Sequence, residues 1–410
     1  MNKKKTINDP VYGFVTLPGD LVYDIISHPY FQRLRYIKQV GLTEYVYPAA
    51  IHTRFQHALG AMHLMGRALD VLRHKGVEIS DSEYEASQIA VLLHDMGHGP
   101  FSHALEYTLM AHVKHESVSF LFMEKLNLEF NGALDLSIRI FQNTYKRKFF
   151  HQLVSSQLDM DRLDYLRRDC FFTGVQEGNI GTDRILSVLN VHNDQLVVEE
   201  KGIYTIESFL NARRLMYWQV YLHKVTVSAE RMLVNIVRRA QTLVRAGETL
   251  PASEPLMLFL REEITLSHFN ENDTLLHAFG QLDDHDIWGG IKFWKDSNDR
   301  ILSLLSNMLL QRKLFQIRLG NEPIRKETIK LLREAVRKEY HTLGSETPYL
   351  FSHGVVTNEA YAEGQQINIL MRSGQLLDLA QASDLPSIKA ISKIVKKNYL
   401  CWPKNVSLHD

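Results

Sequence analysis

Nine of the chain's nineteen histidines lie between positions 52 and 115, where even spacing would put about three. They are His52, His57, His63, His74, His94, His98, His103, His112 and His115. Imidazole is the commonest metal ligand and the side chain best suited to moving protons near neutral pH. A surface or core-edge position is the simpler account of any one of them. As a group they point to a functional site. The sharpest part reads Leu93-His94-Asp95-Met96-Gly97-His98-Gly99-Pro100-Phe101-Ser102-His103. Helical neighbours point about 100° apart, so His94 and Asp95 can reach one ion only at a helix end. Gly97, Gly99 and Pro100 supply such an end. Imidazole with carboxylate suits a borderline or hard divalent cation such as Zn, Fe, Mn or Ni.

Two ligands are too few, and two other segments offer more. In Arg54-Phe55-Gln56-His57, Arg54 and His57 are three apart and share a helix face. A phosphate-binding guanidinium and a metal-binding imidazole can then point the same way. Between Asp159 and Asp169, Asp161, Asp164 and Arg168 share one face, and Arg162, Tyr165 and Asp169 share another. Read alone, that segment is an exposed helix laced with ion pairs. Read with the others, it completes a His…His-Asp…Asp order.

The elements that must hold these residues are mostly helical. Phe55, Leu59, Met62, Ala68, Leu69 and Leu72 recur at close to the helical period, and Gly76 is a natural stop. Ser80-Asp81-Ser82-Glu83 is a capping-box start for a helix that ends at His94-Asp95. A third helix begins near His115 and turns Val118, Phe122 and Leu126 inward. Asn193 to Ile206 reads as a β-hairpin, with strands Leu196–Val198 and Ile203–Ile206 around a Glu199–Gly202 turn. Helices resume from Ser208 to about Gly247, and Thr249–Pro255 is the best linker. Helix then continues to about Leu319. The last ninety residues mix a charged helix, Arg325–Tyr340, with strand-like pieces at Gln366–Met371. The expected fold is mainly α, with a small β-hairpin and a mixed α/β C-terminal region. Its expected units are 1–248, 249–320 and 321–410.

Composition narrows the function classes. Forty-seven basic and 47 acidic side chains give zero formal charge, which argues against broad electrostatic capture of nucleic acid. Apolar residues make up 45%, enough for a large core in a soluble chain. Cys170 and Cys401 cannot form a disulfide framework or a thiolate zinc site, so a reducing cytoplasm fits best. No uncharged apolar run is long enough to span a bilayer. The basic start, Met1 to Lys5, leads into no apolar stretch of the signal-peptide kind.

With these segments in hand, the chain resembles the HD-domain phosphohydrolases. Within them it is most similar to the deoxynucleoside triphosphate triphosphohydrolases of the SAM-and-HD-domain type, without the SAM domain. The similar stretches are Ile7–Pro10, Phe31–Gln39, Arg54–His57, His94–His103, His115-Glu116, Asp159–Cys170 and Tyr221–Lys224. A looser likeness runs from Leu282-Asp283-Asp284 to Lys313-Leu314-Phe315, so about residues 5 to 316 are covered. The resemblance implies a helical HD-domain core. It places His57, His94, Asp95 and Asp161 on the metal ligands. His98, His103 and His115 fall on histidines that line the phosphates and move protons, with Glu116 as the carboxylate that orients His115. Arg54 and Arg162 fall on triphosphate contacts. The family usually has lysine at the second position, and arginine keeps the charge while changing the geometry. Gln39, Tyr165 and Asp169 fall on sugar contacts. Tyr221 and Arg213 lie on the helix that closes the site, and Lys224 falls near bound nucleotide.

The implied reaction cleaves the bond between the α-phosphorus and the sugar 5′ oxygen of a dNTP. It yields a deoxynucleoside and inorganic triphosphate. The cofactor is a divalent ion: Mn, Fe, Zn, Ni or Mg. His115 is the first candidate to protonate the departing oxygen and His103 the second. The resemblance also implies a dimer or tetramer and a nucleotide activator. Lys5, Gln32 and Arg35 match the activator site, but His28 stands where the family has an acidic residue, which puts a guanine preference in doubt. Arg33, Arg35 and Lys38 otherwise read as a solvated helix face. The rival readings are another HD phosphohydrolase, acting on a nucleoside monophosphate, cyclic nucleotide or alarmone, and a non-catalytic nucleotide sensor or nucleic-acid scaffold.

Overall fold

Thr53 and Gln56 form a reciprocal capping box, and the chain turns at once into a helix from Arg54 to His74. In the computed structural model, which describes residues 5–358, 366–384 and 395–407, this helix is the central post. Met1 to Lys4 of the basic start lie outside the described residues. Fourteen residues of the helix are buried, Arg54 and His57 among them, so it is enclosed on nearly all sides. It packs against the Asp81–Leu93 helix on one side and the Met160–Thr173 helix on another. Gly60 allows the second contact. A Cβ there would sit 1.9 Å from Asp164 Oδ1 and 2.3 Å from the Arg168 guanidinium. The Ser80–Glu83 capping box starts the Asp81 helix as expected, and the third helix runs from His115 to Glu129. Gly76 stops the first helix with φ +86°, a conformation glycine adopts without strain.

Among the described residues the architecture is mainly helical with three small sheets. Strands β1 (Thr6–Asp9) and β2 (Gly13–Thr16) form an N-terminal hairpin that local patterning did not announce. Strands β3 (Leu189–His192) and β4 (Gln195–Glu199) form the second hairpin. It lies one strand earlier than expected. Asn193 and Asp194 make its two-residue loop, with φ 51° and 56°. Such a loop matches the twist of paired strands, and Asn and Asp tolerate that backbone well. Ile203–Ile206, expected as a strand, instead opens the Ile203–Met216 helix. Ile206, Phe209, Leu210 and Met216 are buried there at helical spacing, and that packing outweighs the strand preference of the first four residues.

The helical reading after Ser208 holds with one break. The Ile203 helix runs into a π-helical turn, Tyr217–Tyr221, before the Lys224–Arg245 helix begins. Helix does not continue to Leu319. The Arg300–Leu310 helix ends first, and β5 (Gln316–Gly320) follows. In chain order the remaining strands among the described residues are β6 (Ser352–Asn358), β7 (Asn368–Leu370), β8 (Leu376–Asp378) and β9 (Val395–Trp402). β5 pairs antiparallel with β9, placing Ile317 opposite Cys401. No local pattern could name a partner that far along the chain. β7 lies parallel to β4, so the C-terminal residues extend the second hairpin's sheet. The charged helix appears at Lys326–Tyr340. Among the described residues, no helix is long and apolar enough to cross a membrane.

Candidate active site

Three helix ends meet. Arg54 and His57 occupy the first turn of the Arg54–His74 helix. His94 is the C-cap of the Asp81–Leu93 helix, and Asp95 follows it. Asp161 sits in the first turn of the Met160–Thr173 helix, behind its N-cap Asp159. His57 Nε2 lies 3.2 Å from Asp161 Oδ1 and 3.6 Å from Asp95 Oδ2. His94 Nε2 lies 3.3 Å from Asp95 Oδ1 and 3.5 Å from Asp161 Oδ1. Gly97 lets this turn lie against the His115 helix, since a Cβ there would be 2.1 Å from the His115 carbonyl. Ser119 Oγ ties the two together, accepting from the Gly97 N–H and donating to the His94 carbonyl.

The far nitrogens of both rings are committed. His57 Nδ1 donates to Asp164 Oδ2 at 2.8 Å, and His94 Nδ1 donates to the Val91 carbonyl at 2.6 Å. A carbonyl only accepts, so His94 Nδ1 carries a proton and Nε2 is the ring nitrogen turned toward the carboxylates. Both Nε2 atoms are buried and have no hydrogen-bond partner among the described residues. Ligand atoms of His57, His94 and Asp161 all lie within 4.8 Å of one another, and Asp95 borders both imidazoles. Orphaned buried nitrogens beside carboxylate oxygens fit a divalent cation.

The electrostatics agree. Burial disfavours a charged His57, but the Asp161 and Asp164 carboxylates on either side of its ring outweigh that and push its pKa up to about 10. His94 reaches about 9, burial again being overcome, here by Asp95 and Asp161. Burial pushes Asp161 upward, yet His57 and His94 hold it below the usual carboxylate range. Protons and a metal ion would compete for these same two nitrogens. Arg54 adds fixed positive charge. Its Nη1 contacts Asp95 Oδ2, and its Nε donates to Ser102 Oγ at 2.9 Å.

Beside this quartet stand three more histidines. His98 and His115 stack with centroids 3.7 Å apart, and His103 stands edge-on to both at 5.0 and 5.5 Å. His98 Nε2 lies 3.3 Å from Asp95 Oδ1. Burial, Arg54 and His115 hold His98 well below its ordinary pKa, so its ring is neutral. The carboxylate nearest His115 is Glu106 rather than Glu116. Glu106 Oε1 accepts from both the His115 backbone N–H and Nδ1 at 2.8 Å, and Oε2 lies 3.4 Å from His103 Nδ1. Glu116 is 3.6 Å away and largely exposed.

The HD domain family model matches residues 54–168, and the HD associated region model matches residues 180–252. A phosphohydrolase of Bacteroides thetaiotaomicron, known from its crystal structure, is 50% identical. That likeness covers 98% of this chain and 100% of the other, with a TM-score of 0.93. The uncharacterized protein YwfO of Bacillus subtilis is 33% identical across 99% of this chain and 94% of its own length. The chain belongs to the HD-domain phosphohydrolases. A deoxynucleoside triphosphate triphosphohydrolase SAMHD1 homolog of Dictyostelium discoideum is 31% identical over 60% of this chain. The chain spans about half of that relative's length.

In this HD-domain phosphohydrolase the other predicted residues fall into two groups. Asp169 is buried and takes hydrogen bonds from His52 Nε2 at 2.6 Å and the Tyr221 hydroxyl at 2.7 Å. Tyr165 and Tyr221 lie with ring centroids 6.1 Å apart. Gln39 adjoins His52 through a backbone bond, and its side-chain oxygen is buried without a partner among the described residues. Arg213 is buried and donates to Gln157, while Arg162 binds Asp159 and the Ser156 carbonyl. Lys224 is exposed at the start of its helix. The second group is N-terminal. Lys5 Nζ sits over the Tyr23 ring, His28 pairs with Glu129 at 3.1 Å, Gln32 binds the Ile26 carbonyl and Arg35, and Arg35 lies over Phe55.

Two expectations fail here. The Asp159–Asp169 helix is not an exposed, charge-laced face. Asp164 and Arg168 are fully buried, and Arg168 bridges Asp164 at 2.9 Å to Asp9 at 2.7 Å. Arg33 is not solvated either; it is buried and donates to the Leu282 and Met96 carbonyls. Two further residues belong to the site without a role expected from sequence: Glu106, three residues after His103, and His52, inside the histidine cluster.

Proposed function

We propose that this protein hydrolyses deoxynucleoside triphosphates to deoxynucleosides and inorganic triphosphate. The observation that carries the reading is the pair of buried, partnerless Nε2 atoms of His57 and His94 facing Asp95 and Asp161. These four residues would hold a divalent ion: Mn, Fe, Zn, Ni or Mg. The chemistry such an ion supplies is an acidified water and a polarised phosphoryl oxygen.

The chain's own groups do the rest. His98, kept neutral beside Asp95, is a hydrogen-bonding partner for a phosphate oxygen. His115, fixed by Glu106, gives the departing 5′ oxygen its proton, and His103 stands as the alternative donor. Glu116 is a more distant carboxylate neighbour. Arg54, Arg162 and Lys224 offset the triphosphate charge. Gln39, Tyr165, Asp169, Arg213 and Tyr221 would form the sugar side. The Lys5, His28, Gln32 and Arg35 patch is the candidate activator site, and the working assembly is a dimer or tetramer. The similarity to a SAMHD1 homolog supports the dNTP reading.

The test is hydrolysis of the four dNTPs, alone and in pairs, across defined divalent metals, with products separated by ion exchange. Inorganic triphosphate plus deoxynucleoside is the expected result. Acceleration only in mixtures would reveal the activator site. No triphosphate under any condition would move the reading to an HD phosphohydrolase of monophosphates, cyclic nucleotides or alarmones.

A further inference from the structure

Behind Arg54 the backbone takes an unusual path. Phe101 and Ser102 are consecutive non-glycine residues in the left-handed region, with φ 55° and 51°. That conformation costs free energy and persists only where the surroundings enforce it. What enforces it comes from far along the chain. Asp284, the first residue of the Asp284–Trp294 helix, is buried and lies beyond both family-matched segments. Its Oδ1 accepts the Phe101 N–H at 2.7 Å, and its Oδ2 accepts the Lys38 N–H at 3.0 Å.

These two amides bracket Arg54. Lys38 bridges Thr53, and the Arg54 N–H donates to the Ile37 carbonyl at 3.0 Å. Ser102 Oγ accepts from Arg54 Nε at 2.9 Å and donates to the Lys38 carbonyl at 3.4 Å. His103 follows directly. One carboxylate therefore fastens the segment before Arg54 to the turn that grips its guanidinium. A second tie runs beside it. Arg33 donates to the Leu282 carbonyl, two residues before Asp284, and to the Met96 carbonyl, one residue after Asp95. Burial pushes the Asp284 carboxyl up to about 6, against the pull of its two backbone bonds. Keeping a carboxyl so dry is explained by the two amides it serves, each costly to leave unpaired.

We propose that Asp284 is a positioning residue: by clamping the left-handed Phe101–Ser102 turn to Lys38, it aims Arg54 and His103 at the substrate phosphates. The aim at phosphates rests on the function proposed above; the clamp does not. Asp284→Ala is expected to lower kcat about 100-fold, the scale of an ångström-sized misplacement. Metal content by mass spectrometry stays unchanged, because Asp284 touches none of the four ligands. Asp284→Asn keeps one acceptor and falls between. Ser102→Ala removes the grip on Arg54 directly, so the Asp284→Asn/Ser102→Ala double variant is no slower than the worse single one. Losses that simply add, or wild-type kcat in Asp284→Asn, overturn the proposal.

Hydrogen exchange separates the two claims. In Asp284→Asn, peptides spanning 36–40 and 99–103 are expected to exchange roughly five- to tenfold faster, about one hydrogen bond's worth. If the wild type hydrolyses no dNTP, the functional reading fails and the clamp stands or falls on this measurement. Unchanged exchange in both peptides overturns it.

Discussion

His57 and His94 have side chains 0% and 11% exposed; of the trio beside them His98 is as buried, at 3%, while His115 and His103 open to 17% and 70%. In the first pair each Nδ1 proton has its own fixed acceptor, Asp164 or the Val91 carbonyl. In the trio one carboxylate, Glu106, serves two rings. The contrast matches the roles proposed for the two sets. A metal ligand must present one lone pair in one direction, which favours burial and a fixed tautomer. A proton donor must meet substrate and be recharged, which favours contact with solvent. One residue type is thus set two ways by what lies behind its ring.

The hardest break of that comparison is inside the quartet. His94→Ala removes one of two orphaned nitrogens. Metal content by mass spectrometry and dNTP hydrolysis are expected to fall below detection together. An active, metal-free variant would end the assignment of the quartet as the metal site.

One step outward, Asp164 orients His57 and is ion-paired with Arg168. Asp164→Ala is expected to weaken metal binding about 10- to 100-fold by calorimetric titration. It also removes one of the two carboxylates paired with the fully buried Arg168, leaving only Asp9, so thermal unfolding should report a loss of up to about 3 kcal/mol. A variant of normal affinity would mean that His57 needs no carboxylate behind it.

In the trio the contrast lies between two glutamates. Glu106→Gln is expected to lower kcat about 10²-fold by weakening the hold on His115. Glu116→Gln, altering a largely exposed contact at 3.6 Å, should cost at least tenfold less. Metal content stays normal in both. Equal losses would return the orienting role to Glu116.

What could be read from the chain beforehand follows the same division. The Arg54 helix, the Ser80 capping box and the helix end at His94-Asp95 are local events, written in spacing, caps and glycines within a few residues. The HD signature was legible for that reason. The supports behind it were not. Asp164 and Arg168 sit in a charged stretch that resembles a solvated face. The arrival of Asp9 from the N-terminal hairpin, the His57 Nδ1 facing Asp164 and the space left by Gly60 allow them to be buried. Arg33 was misread in the same way, because its acceptors are the carbonyls of Met96 and Leu282. The second hairpin was displaced because Ile203–Ile206 carries strand-like residues whose burial is helical. β5 was read as helix because its partner, β9, lies some eighty residues on.

The smallest expected effect lies at the N-terminal patch. Lys5 and His28 engage Tyr23 and Glu129, while Gln32 and Arg35 bind each other as well as the Ile26 carbonyl and the Phe55 ring. The His28–Glu129 contact is partly exposed, so His28→Ala should change thermal stability by less than about 1 kcal/mol. An activator there would have to draw these side chains away from such partners, and contacts this weak permit the exchange. The double variant His28→Ala/Arg35→Ala is therefore expected to leave single-dNTP rates near wild type and to remove any acceleration seen in mixtures. Acceleration that survives would place the regulatory site elsewhere on the molecule, while the quartet and the trio keep their proposed roles.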